Sequence, residues 1–237
     1  MLELGVEIED FVFERVPDYR RAVIAGVRTH APDTAAIRDG LSAAARKWQS
    51  QATGEIVTVP SVQRWRKAYR RVGLNPTRTR PALEALARRA RSGKMGSFGD
   101  ACVDIGAIVS LLCLVPVGMH TVDGVSSTLA LTRAIGHETF RTFSGDVEHP
   151  APGELVWVSG EQVLTRHWVH QQGAVGSVNE RSATFTVNLD LLAEDTLAAT
   201  QRAMVDWLEL AGISVTSVSV FDRGRPAGRV RLSSPPA

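Results

Sequence analysis

Apolar positions recur along this chain with two different periods, and the change of period divides it. Residues 20–28 (RRAVIAGVR) form an apolar run of strand length bounded by arginines. From Pro32-Asp33 the spacing becomes helical, roughly over 32–51, with Ile37, Leu41, Ala44, Ala45 and Trp48 on one face. Val62, Trp65, Tyr69 and Val72 make a second inward stripe, which Gly73 stops ahead of an Asn75-Pro76 turn. A third helix is predicted from Thr79 as N-cap, with Pro81 in its first turn and Leu83, Leu86, Ala87 and Ala90 inward. The apolar stretch near 100–114 reads as a buried helix.

After residue 120 the character changes. Residues 126–133, 154–159 (ELVWVS), 163–171 (VLTRHWVHQ) and 183–189 (ATFTVNL) have strand composition and are separated by Gly, Pro and Asp turns. A helix is predicted near 191–211, closing on Gly212 at C′, and 213–221 (ISVTSVSVF) returns as a strand with clean alternation. Helices cluster in the first half and strands in the second, which predicts an α+β fold rather than a doubly wound sheet. The late helix and strand tie the halves together, so one domain is expected over 1–225. Residues 226–237 have the composition of a polar, disordered tail.

Charge changes this picture at one place. Residues 64–94 contain eleven Arg or Lys and one acid, Glu84, a formal +10 in a chain whose total is +2. The remainder therefore sums to −8, an asymmetry that bears on partners rather than on fold. Helical spacing puts Arg64, Lys67 and Arg71 on one outer face with Arg66 and Arg70 beside it, and the following segment adds Arg78, Arg80 and Arg88. Two adjacent helices presenting arginine outward favour phosphate contact, with nucleic acid as the commonest polyanion. The plain alternative is a solvated face, in which Glu84 pairs with Arg88 at i,i+4.

Several classes are argued against. Residues 101–119 have the length of a membrane span, but Asp104 stands near the start and Pro116 breaks the run, so a buried helix ending near Leu114 is expected. The N-terminal MLELGVEIED is acidic and carries no secretory pattern, which points to a soluble, cytoplasmic protein. Cys102 and Cys113 lie in an apolar stretch and read as small hydrophobes in a reducing compartment. The six histidines show no metal-ligand spacing, and no glycine-rich phosphate loop occurs, so neither metal nor cofactor is expected. Ser126-Ser127 and Ser144-Gly145 lack a nucleophile-elbow context, and Asp123-Gly124 reads as a turn.

Five segments occur in a recognisable order: YRRVGLNPTRTRPALEALARR, VDIGAIVSLLCLVPVG, GHETF, PGELVWVSG and RHWVHQQG. Together, over roughly residues 20–212, they resemble the free-standing B3/B4 domain family, which is similar to the B3/B4 editing region of the phenylalanyl-tRNA synthetase β subunit. The resemblance implies a β-sandwich core of unusual topology with helices around it. It also implies a tRNA or aminoacyl-tRNA partner and removal of a wrong amino acid in trans. An apolar pocket rejects a substrate bearing one added hydroxyl poorly, which is why such editing exists. The chain departs from the synthetase pattern where that pattern has its polar groups. The Asn and His positions fall on Ala107 and Gly118, and no acid stands at Val187 or Asn188.

Other polar groups are available in residues 166–171. Strand alternation would send Arg166, Trp168 and His170 to one face and His167, Val169 and Gln171 to the other. Arg166, Trp168 and Gln171 are thus candidates for binding substrate, and His167 and His170 for catalysis. Glu138, in a loop-like segment, is a candidate for orienting a water or binding an amino group, against the plainer role of a turn carboxylate. Asp104 reads as a helix-start charge. Three functions stay open: a trans-acting deacylase, a non-catalytic RNA-binding module, and a pocket for a free amino acid. The oligomeric state stays open too.

Overall fold

The computed structural model describes residues 2–51, 54–122, 125, 127–179, 181–193 and 195–233. Asp123-Gly124, Ser126 and residues 234–237 of the expected tail lie outside them. In chain order the described elements begin with β1 (Leu2–Ile8), α1 (Asp10–Arg15), β2 (Arg20–Arg28), α2 (Thr34–Gln51), α3 (Pro60–Arg71), α4 (Ala82–Arg91) and α5 (Ala101–Cys113). They continue with β3 (Val117–Thr121), β4 (Thr128–Arg133), β5 (Thr139–Arg141), β6 (Val147–Glu148), β7 (Leu155–Ser159), β8 (Gln162–Arg166) and β9 (Gln171–Gln172). The last are β10 (Thr184–Leu191), α6 (Leu197–Leu210), β11 (Ile213–Phe221) and β12 (Ala227–Leu232).

The fold is α+β. One sheet runs β12-β1-β4-β7-β8-β5-β6, with β9 attached to β8, and the other runs β11-β2-β10-β3. The smaller sheet is sandwiched. Its outer face carries α5 and α6, with α2 packed on α5. Its inner face meets the larger sheet, where the Arg21 guanidinium lies 3.6 Å from the centroid of a Trp157 ring. β10 shows how sequence serves both sides. Phe185, Val187, Leu189 and Leu191 alternate with Thr184, Thr186, Asn188 and Asp190, and every one of them is buried. The second set shares the face of Asp190, so the interior between the sheets is partly polar.

The helical stripes read from the sequence are where the core lies. Ile37, Leu41, Ala44, Ala45 and Trp48 of α2, and Val62, Trp65 and Tyr69 of α3, are buried. α3 begins with Pro60 at its first turn, where the missing N–H is tolerated. α5 has 13 residues, capped by the Asp100 carboxylate, which accepts from Cys102 N and Val103 N. No helix among the described residues is long and apolar enough to cross a membrane.

Four boundaries differ from expectation for local reasons. α4 starts at Ala82, because Pro81 forces extended backbone on the residue before it. Thr79 instead donates its hydroxyl to the Asn75 carbonyl at 3.0 Å. α6 starts at Leu197, because β10 runs on to Leu191. The acidic N-terminus is a strand with Leu4, Val6 and Ile8 inward. It pairs with residues 227–232, where a disordered tail was expected; Val230 and Leu232 are buried between exposed Arg229 and Arg231. The alternation in RVRL was present in the sequence, but its partner strand is more than 200 residues away.

Candidate functional site

Two adjoining cavities lie where α4, α5, β3 and the turn after β8 meet. The smaller, a chamber of about 130 Å³ between the sheets, is bounded by Arg21, Gly118, His120, Trp157, Trp168 and Asp190. The larger, of about 630 Å³, has Ala82, Ala85 and Leu86 of α4 on one side and Val103, Gly106 and Ala107 of α5 on another. Ala82, Val117, His170 and Gln172 border both cavities.

The chamber's charges are already matched. Arg21 Nη1 donates to Asp190 Oδ1 at 2.9 Å and to Oδ2 at 3.2 Å, and the Tyr19 hydroxyl donates to the same carboxylate. The two charged side chains are 3% and 5% exposed and are register partners across β2 and β10. Burial, reinforced by the Asp190 charge, holds the Tyr19 phenol well above its ordinary range. Burial and the Arg21 cation push the His120 imidazole down to about 3, so the ring is neutral. Asn188 Nδ2 donates to His120 Nδ1 at 3.0 Å, which places the ring proton on Nε2. Arg21 Nε and Trp157 Nε1 have no hydrogen-bond partner among the described residues. The chamber thus offers unused donors, a neutral imidazole and no free carboxylate.

The turn after β8 overturns the expected alternation. Val163 to Arg166 run as strand, but His167 and Trp168 both have positive φ, at 48° and 67°. Contacts from other elements hold this left-handed pair. The Tyr69 hydroxyl of α3 donates to the His167 carbonyl at 2.9 Å, and Ala82 N at the start of α4 donates to the Val169 carbonyl at 2.9 Å. Trp168 is consequently driven inward and is fully buried, with its ring packed against Tyr19, Trp65 and Tyr69. It lines the chamber as a wall rather than standing out as a stacking platform.

The remaining predicted residues separate. Arg166 Nε and Nη2 clasp Glu154 at 2.8 and 2.6 Å while Nη1 reaches Glu148 at 2.6 Å, so its cation is matched by two carboxylates away from the cavities. Glu138 accepts from Ile135 N and Gly136 N, both at 2.8 Å, and lines neither cavity; it is a turn carboxylate. Burial raises its pKa, but these backbone donors outweigh burial and hold it below the ordinary range. His167 is half-buried, 3.2 Å from Glu154 without hydrogen-bond geometry, and burial lowers its pKa against the pull of that carboxylate. Gln171 is exposed on β9. His170 alone among the three catalytic candidates borders the cavities. Its Nδ1 donates to the Arg80 carbonyl at 2.6 Å, which leaves the Nε2 lone pair free in the neutral ring.

The cationic segment divides into paired and exposed groups. Arg64 does not share the free outer face: it reaches Asp195 at 2.9 Å. Glu84, fully buried, gathers Arg66 at 3.0 Å, Arg88 at 2.9 Å and Arg80 at 4.0 Å. The expected Glu84–Arg88 pair is thus one edge of a larger cluster that joins α3 to α4. Lys67, Arg70, Arg71, Arg78 and Arg80 are exposed, and Arg88 is half-buried. Among the described residues no group of three His, Cys, Asp or Glu is placed to hold a metal ion.

Sequence reading missed Arg21, His120, Thr165, Gln172 and Asp190. The available signal was the T-T-N-D set alternating with apolar residues in a strand that the core buries on both sides. The positions that the resemblance matches to the synthetase's polar groups fall at or beside the two cavities. Ala107 lines the larger cavity, Gly118 lines the chamber, and Asn188 stands opposite Gly118 in the β10–β3 register. A Cβ built on Gly118 would meet only His120 Cε1, at 3.9 Å, so space does not demand glycine there.

No curated protein matches the chain. Among solved structures it is similar to an N-terminal fragment of the phenylalanyl-tRNA synthetase beta-subunit from Pyrococcus horikoshii, at 12% identity and a TM-score of 0.44. That likeness covers 89% of this chain and 49% of the other, so the chain spans about half that structure's length. A family model described as the B3/4 domain matches residues 64–207. This stretch is more than half of the chain and contains every residue bounding the two cavities except Arg21. The chain belongs to the B3/4 domain family.

Proposed function

We propose that this protein binds the acceptor end of an aminoacyl-tRNA and releases the amino acid by ester hydrolysis in trans. The observation that carries this reading is the double use of α4. Its Ala82, Ala85 and Leu86 wall the apolar cavity, Arg89 borders the same cavity, Arg88 stands beside it in the helix and Arg80 lies just before the helix. An apolar recess beside a cluster of cations fits a ligand that is apolar at one end and polyanionic at the other. An aminoacyl-tRNA has that form, and membership of the B3/4 family supports the same ligand class.

His170 supplies the chemistry. A water attacks the ester carbonyl and gives its proton to His170 Nε2. The ester C–O bond then breaks, and the ribose oxygen takes that proton from His170, leaving free amino acid, uncharged tRNA and a neutral His170. Such a base contributes about 10²–10⁴-fold to a rate. Incubating the protein with tRNA for phenylalanine charged with Tyr, meta-Tyr and other amino acids should release at least one of them above background. His170→Ala should slow that release about 10²-fold with little change in tRNA affinity.

One observation favours a second reading, a binding module without turnover: Ala107 and Gly118 bring no polar group to the cavities. Tight binding with no release across the panel selects it, and no binding rejects both readings. The two readings share a further expectation. Combined reversal of Lys67, Arg71 and Arg78 to Glu should weaken binding of all tRNAs alike, about 10²-fold near 0.15 M salt, and flatten the salt slope by about 2. Fluorescence anisotropy across a salt series measures both quantities. Unchanged affinity would make these cations a solvated face.

A further inference from the structure

We infer that Phe98 and Phe143 form a clamp that stacks the terminal nucleobase of a single-stranded RNA end at the mouth of the larger cavity. The inference rests on the aminoacyl-tRNA reading and adds to it the part of the ligand that these rings hold. Both side chains border the same cavity of about 630 Å³, yet they are 37% and 72% exposed. Large aromatic rings left in water beside a recess are surface that a partner would cover.

Each ring stands on a fixed backbone from a different part of the chain. The buried Asp104 of α5 accepts from Phe98 N at 2.7 Å and from the Ser97 hydroxyl at 2.6 Å, pinning the loop ahead of the helix. Asp104 is therefore a loop anchor rather than only a helix-start charge. Phe143 sits in the β5–β6 turn, closed by Thr142 N to the Asp146 carbonyl at 2.9 Å and by the Ser144 hydroxyl to Asp146 Oδ2 at 2.7 Å. Rings presented on ordered turns lose little freedom when a ligand arrives.

Charge selects the occupant. The Arg89 guanidinium lies 4.6 Å from the centroid of the Phe98 ring and borders the same cavity, and the surrounding segment carries a formal +10. An apolar protein surface would gain nothing from those cations. An unpaired nucleotide gains twice, because every base has a face to stack and its phosphate meets Arg89. The clamp takes the base while the apolar cavity beyond it takes the attached group.

The test uses the full chain and an RNA minihelix whose single-stranded 3′ end carries 2-aminopurine as the last base. Stacking should quench its fluorescence on binding. Phe98→Ala and Phe143→Ala should each reduce the quench and weaken binding about tenfold, whereas Phe143→Trp should keep both. A blunt minihelix should bind the wild type as weakly as the tailed one binds the alanine variants. Binding with unchanged fluorescence, or a full quench in both alanine variants, overturns the clamp and leaves the aminoacyl-tRNA reading standing. No binding of either minihelix overturns both. A dimer in sedimentation that Phe143→Ala dissolves would assign the rings to self-association and overturn the clamp.

Discussion

Asp190→Ala is expected to lower the stability of the fold by about 3–5 kcal/mol, the range for breaking one side of a buried ion pair. The carboxylate is held by Arg21 at 2.9 and 3.2 Å and by the Tyr19 hydroxyl, with both charged side chains almost fully buried. Removing it strands a guanidinium between two sheets. The face of Trp157 at 3.6 Å offers partial compensation, and the neutral His120 offers none. Whole-domain stabilities run to about 5–15 kcal/mol, so this one change would remove a large part of the total. Asp190→Asn, which keeps an acceptor for Tyr19, should lose less. Urea unfolding of the two variants beside the wild type measures the difference. A loss under about 1 kcal/mol for Asp190→Ala would mean that solvent reaches Arg21 and that the chamber is wetter than its walls imply.

The second large effect is a loss of stability in mild acid that originates at His120. In the unfolded chain this imidazole has its ordinary pKa of 6.5, whereas in the fold burial and Arg21 lower it to about 3. Between those two values the unfolded state binds a proton that the folded state refuses. Stability therefore falls as pH drops through the window from about 6.5 to about 3, by about 1.4 kcal/mol for each pKa unit and on the order of 5 kcal/mol in all. Glu9, Glu138 and Glu154 also have lowered pKa values, and their contributions disappear only below the ordinary carboxylate range of 4.5. The interval from pH 6.5 to 5 consequently isolates the histidines. His167, lowered chiefly by burial, acts there in the same direction. His120→Gln should flatten the dependence of the urea midpoint on pH in that interval. A slope equal to that of the wild type would show that His120 takes up its proton inside the fold.

The buried pair also explains how the two cavities differ. Arg21, Asp190 and His120 fix a polar chamber whose charges are matched from within, so it holds its shape without a ligand. The larger cavity is walled mostly by apolar residues, and the polar residues on its lining are Arg89, Asp100, His170, Gln172 and Ser177. Chemistry is therefore expected at His170, which Arg80 orients through its carbonyl, rather than at the positions of Ala107 and Gly118.

The fold class, the inward stripes of α2 and α3, the limits of β11 and the motif order of the family were legible from the sequence. Each is a local pattern: a helix or strand that buries one face must repeat its apolar residues at that element's own period. The candidate site was legible in part. Of the candidates in residues 166–171, Trp168 lines the chamber and His170 borders both cavities. Which of their side chains turn inward was not legible, because the left-handed backbone of His167 and Trp168 is set by Tyr69 and Ala82, about 90 residues earlier. The same holds for charge. A count of cations along α3 and α4 cannot show that Glu84 gathers Arg66, Arg80 and Arg88, or that Arg64 turns to Asp195. Period and composition act over a few residues and are written in the chain. Convergence brings together residues as far apart as Tyr19 and Asp190, and it exists only once the sheets have paired. The sequence by itself determined the fold class, the apolar stripes of the long helices and the family; the tertiary structure decided how the chain ends pair, which polar groups are matched, which are exposed and which meet at a cavity.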